Sequence, residues 1–141
     1  MTMKELASLL SGREITKEIT HDEERQAAAA GLVVVFGYSD DSMEFRGAVD
    51  GEAYCFDGGP AYLGKAGILE EPACSGAEDC KCPYFDAARK KAKAIKAVWH
   101  DEGGPCWTFE TDIPHETFNI YEDGELFCVG IVFSVDSLEE V

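Results

Sequence analysis

Two Asp-Gly pairs, Asp50-Gly51 and Asp123-Gly124, each sit between stretches in which apolar and polar residues alternate. Aspartate and glycine tolerate the positive φ of a tight primed turn, and alternation gives each flanking strand one buried face, so each pair predicts a β-hairpin. The first joins strands over Met43 to Val49 and Glu52 to Phe56; the second joins 116–121 to 125–133. Two hairpins commit the chain to antiparallel sheet. They also echo one another, with Phe45, Asp50-Gly51-Glu52 and Tyr54-Cys55 matching Phe118, Asp123-Gly124-Glu125 and Phe127-Cys128 in spacing. Ordinary hairpin chemistry accounts for that echo more simply than duplication does.

The remaining elements follow from local pattern. Leu32 to Phe36 is an unbroken, valine-rich run that reads as a strand buried on both faces. Leu6, Leu9 and Leu10 give a short amphipathic helix from Met3 to Leu10. Thr20 with Glu23 forms a capping box, and Gly31 stops the helix predicted over 21–30. Ala61 to Leu63 reads as a brief strand, and 64–82 as mostly loop. Pro83 suits a first helical position; Phe85, Ala88, Ala92 and Ile95 form that helix's apolar stripe, with Arg89, Lys90, Lys93 and Lys96 projecting elsewhere. Further strands are expected at about 95–100 and 106–111. Trp99, Trp107, Phe109, Phe118, Ile120, Phe127, Val129 and Ile131 are candidate core residues. The fold class is α+β: a single domain over 1–141, with antiparallel sheet built from the two hairpin units and helices packed on one side.

At 141 residues, with 45% hydrophobic and 11% aromatic side chains, the chain can bury a core without staples. No apolar stretch approaches the roughly 20 residues that cross a bilayer, and the N-terminus lacks the apolar core of a secretory signal. A reducing, cytoplasmic setting is therefore expected, in which cysteines are thiols or metal ligands. Charge is the strongest compositional signal: 28 acidic against 12 basic residues give a formal net of −16. Such a field repels nucleic acid and anionic membranes and favours cationic partners. Residues 81–96 are the exception, holding six of the twelve basic residues and one acid. A solvated helix face is the plain explanation of that stripe.

The stretches GLVVVFGYSDD (31–41), FRGAVD (45–50), CPYF (82–85) and IPHETFNIYEDGELFCVGIVF (113–133) together resemble a family of small proteins encoded by phages and prophages of Gram-positive gut bacteria. The resemblance covers most of the chain. It implies a genomic context, that of accessory proteins which counter bacterial defences, and carries no catalytic residue.

Catalytic constellations are scarce. Cys74, Cys80 and Cys82 have the ligand type for a structural zinc, yet C-x5-C-x-C lacks the paired C-x2-C knuckles of strong zinc motifs. A fourth ligand would come from Cys55, Cys106, Cys128, His100 or Asp79; otherwise the thiols are simply free. His21, His100 and His115 are well separated, so a Cys-His hydrolase would need Cys82 or Cys106 to meet His100 or His115 in space. A non-catalytic role is expected, and two binding readings follow. In the first, Asp40, Asp41, Glu44, Glu110, Asp112, Glu116, Glu122 and Asp123 form a surface that imitates the phosphates of nucleic acid and occupies the basic groove of a host defence protein or nuclease. In the second, a small nucleotide signal is enclosed, Arg46, Arg89, Lys90 and Lys93 meeting its phosphates and Trp99, Trp107 or Tyr121 stacking on its base. A zinc-stabilised structural or assembly protein is a third reading, and a homo-oligomer is compatible with all three.

Overall fold

The computed structural model describes residues 1–17, 19–38, 41–47, 54–56, 59–64, 67–69, 82–100 and 106–138, with 54–56, 82, 83, 99, 100, 106 and 107 described by backbone alone. In chain order these are α1 (Met3–Leu10), β1 (Arg13–Glu14), α2 (His21–Ala29), β2 (Leu32–Gly37), β3 (Met43–Gly47), β4 (Tyr54–Phe56), β5 (Ala61–Gly64), β6 (Gly67–Leu69), α3 (Cys82–Lys91), β7 (Lys93–His100), β8 (Cys106–Glu110), β9 (His115–Glu122) and β10 (Glu125–Ser134). Single 3-10 turns cover Ile15–Lys17 and Val135–Ser137.

The strands form two sheets, one of six in the order β1-β9-β10-β2-β3-β4 and one of four in the order β6-β5-β7-β8. Among the described residues β1 pairs β9 in parallel and every other strand pairing is antiparallel, as the two hairpins require. Both hairpin units, β3-β4 and β9-β10, lie in the larger sheet with β2 between them. At the second turn Asp123 (φ 50) and Gly124 (φ 83) both take the left-handed backbone that a primed turn needs. The Asp50-Gly51 turn lies outside the described residues.

The larger sheet is covered on both faces. Leu6 and Leu10 of α1, Ile19 just before α2 and Ala27 within it close over Val34, Phe36, Phe118, Ile120 and Val132. On the opposite face Val33, Val35, Phe45, Ile131 and Phe133 meet Ala61, Leu63, Ile95 and Ala97 of the smaller sheet. The continuous apolar run of β2 has its cause here, since all six of its residues are buried and successive side chains enter different cores. The α+β class stands as expected, while the division of the strands into two sheets is information that local pattern does not carry.

Several expectations are refined. Ile95 is fully buried from β7 and not from a helix stripe, because α3 ends at Lys91 and only Phe85 of that stripe is buried on the helix itself. The expected loop over 64–82 contains β6, with 65–66 and 70–81 outside the described residues. Phe118, Ile120, Val129 and Ile131 are core residues, and Phe109 and Phe127 pack against it half-buried. Trp99 stands opposite Trp107 in the β7-β8 register; their side chains lie outside the described set. The hairpin echo does not extend to structure. Phe45 faces Tyr54 and enters the core between the sheets, whereas Phe118 faces Gly130 and enters the core under the helices. Among the described residues no helix is long and apolar enough to cross a membrane.

Candidate binding cleft

Where α3 gives way to β7 the chain changes period within one residue. Ala92 closes the last helical hydrogen bond, N to the Ala88 carbonyl at 3.1 Å, and β7 begins at Lys93. Lys90 and Lys91 at the end of α3 and Lys93 and Lys96 of β7 all line one open cleft of about 620 Å³, Lys93 and Lys96 leaving the strand on opposite faces. Lysines at a helix C-terminus are favoured by its dipole, which explains their presence on α3 but not their continuation into the strand. Pro60, Glu110, Thr111 and Asp112 complete the lining. Glu110 stands directly opposite Lys96 in register. Thr111 Oγ1 accepts from the Ile113 N–H at 3.2 Å while Ile113 is buried, which fixes the short segment carrying Asp112. Among the described residues no ion pair involves Lys90, Lys91, Lys96, Glu110 or Asp112.

The expected nucleotide-binding set is only partly brought together. Lys90 and Lys93 line the cleft, and Lys91 and Lys96, not counted in that set, join them. The sequence signal for those two was the density of lysine between 90 and 96. Arg89 does not line it: its guanidinium stands 5.7 Å from both the Tyr62 and Phe85 ring centres and pairs with Asp86 at 3.3 Å. Arg46 belongs to the helix-covered face of the larger sheet, over the Phe36 ring, where it donates to Glu44 at 2.7 Å and Glu24 at 3.0 Å. Burial works against the Arg46 charge, and its bonds to the two carboxylates outweigh that and hold its pKa above the usual value. Tyr121 lies on β9, opposite Leu126 and beside Glu14 of β1.

The expected acidic surface is divided as well. Gly37 pairs with Met43 and Val129, Glu122 with Glu125, and Tyr121 with Glu14, so the β2-β3 turn, the β9-β10 turn and β1 reach the same end of the larger sheet. Asp41, Glu44, Glu122 and Asp123 belong to that end, and Glu14 and Glu125, which the sequence reading did not select, join them. Glu14 Oε2 accepts from the Asp123 N–H at 2.9 Å. Glu44 is already engaged, accepting from Arg46 and from the Tyr38 hydroxyl at 3.0 Å. Glu116 stands at the other end of β9, opposite Val132, and Glu110 and Asp112 sit among the lysines. Asp40 lies outside the described residues.

Cys74 and Cys80 fall outside the described residues, as do the side chains of Cys82, Cys106 and His100, and with them the expected zinc set and most of the Cys-His pairings. Among the described residues no group of three or more His, Cys, Asp or Glu side chains could hold a metal ion. Cys128 is a buried core thiol, and His115 Nδ1 lies 2.6 Å from the Ile113 carbonyl. No family model, curated protein or solved structure matches the chain.

Proposed function

We propose that the protein is a non-catalytic binding protein that sequesters a small phosphate-bearing ligand in the α3-β7 cleft. One observation carries this: on a chain of net charge −16, four lysines line one cleft whose volume suits a small molecule. Lysine ammonium groups donate charge-assisted hydrogen bonds to phosphate oxygens. The acidic body around them disfavours long polyanions, so the ligand is small and carries few charges. The resemblance to phage and prophage proteins gives the activity a setting, the removal of a nucleotide signal in the cytoplasm of a bacterial host.

A second reading has its own support. Glu14, Glu122, Asp123 and Glu125, all exposed, gather at one end of the larger sheet beside the exposed Leu126. An acidic rim around an apolar anchor fits inhibition of a host protein with a basic groove. Purification from host cells, followed by heat release and mass spectrometry of small molecules and proteins, separates the two. A nucleotide released near stoichiometry is the expected result. A basic protein that leaves at raised salt, with no small molecule, would favour the second reading and sink the first.

A further inference from the structure

The cleft is not uniformly basic. Glu110 and Asp112 line it with the lysines, and among the described residues neither has an ion-pair partner, although Lys96 stands opposite Glu110 in register. A site meant for phosphate alone gains nothing from carboxylates, which repel the anion the lysines attract. Their place is explained by a ligand that carries hydrogen-bond donors as well as a phosphate. Among nucleobases, guanine alone presents two adjacent donors, N1–H and the N2 amino group, spaced to meet both oxygens of one carboxylate. Adenine and cytosine set an acceptor beside their single amino group, and a carboxylate repels that acceptor.

Resting on the reading of the cleft as a phosphate site, we infer that its ligand is a guanine nucleotide of low charge. Lys90 and Lys91 at the end of α3 meet the phosphate, and Asp112 or Glu110 accepts from the Watson–Crick edge of the base. The order follows from the frame: the helix end supplies only cations, and the segment leaving β8 supplies both carboxylates. No chemistry on the ligand is involved.

Isothermal titration of the full chain at low ionic strength with GMP, AMP, CMP and inorganic phosphate tests this, alongside Asp112→Asn, Glu110→Gln and the double variant Lys90→Ala/Lys91→Ala. All four positions are exposed, so the variants are expected to fold as the parent does. GMP should bind at least tenfold tighter than AMP or CMP. One of the two carboxylate variants should erase that preference while phosphate binding persists, and the lysine variant should weaken every ligand. Equal binding of the three nucleotides, still dependent on the lysines, would overturn the guanine assignment and leave the phosphate site standing. Absence of binding by all four probes would overturn both.

Discussion

Glu23 shows how one carboxylate can hold several local structures together. It caps α2 by accepting from the Thr20 N–H at 3.1 Å, and both its oxygens receive the Arg13 guanidinium at 2.6 and 2.7 Å, tying the β1 segment to the helix. The side-chain bonds from Arg13 are the main reason its pKa falls from 4.5 to about 2, assisted by Thr20 and opposed by burial. Because the folded value lies below the unfolded one, the stabilisation is complete above pH ~5 and is lost as pH falls from there toward 2. Urea denaturation across that range should show Glu23→Gln costing about 2 kcal/mol at neutral pH and the gap to the parent closing in acid. A gap that does not change with pH would contradict the assignment. The capping half of this role is legible as T-x-x-E, since it is local; the Arg13 half is not, because the partner is ten residues away across a turn.

At the scale of elements, the β9-β10 hairpin combines a local signal with a packing requirement that local pattern hides. Asp-Gly announces the turn, but Gly130 is explained only by Phe118 opposite it. A Cβ built on Gly130 would lie 2.0 Å from the Phe118 ring, which fills the face under α1 and meets Phe36 edge-on at 5.5 Å. Gly130→Ala should therefore destabilise the fold by about 2 kcal/mol, read as a lower denaturation midpoint, as expected when a packed core is overfilled. An unchanged midpoint would show that Phe118 has room to move. Helices and strand positions were legible because capping residues and two-residue alternation are local, as at Thr20 and across Met43 to Gly47. The two-residue β1 and the separation of β5 to β8 into a second sheet were not, because strand partners lie far apart in sequence. Ile95 shows the consequence: its spacing fits a helix stripe, and only the pairing of β7 with β5 and β8 reveals it as a strand residue.

Across the whole molecule, charge sorts by position in the fold and not only by sequence. Sequence composition isolates the basic stretch, yet only the fold shows that α3 stops at Lys91, that β7 starts two residues later, and that helix and strand lysines line the same opening. The acids divide differently. Asp41, Glu44, Glu122 and Asp123 collect at one end of the larger sheet, Glu116 stands at the other end of β9, and Glu110 and Asp112 join the lysines, so the seven described acids of the expected surface lie in three places. Strand order decides this division, and strand order is what the sequence pattern leaves open. The proposed phosphate site is the lysine cleft. Backbone amide NMR of the isotope-labelled chain during titration with inorganic pyrophosphate tests that proposal. Saturable shifts confined to residues 90–96 and 110–112, reversed by salt, are the predicted result; shifts absent there, or scattered without saturation, would contradict it.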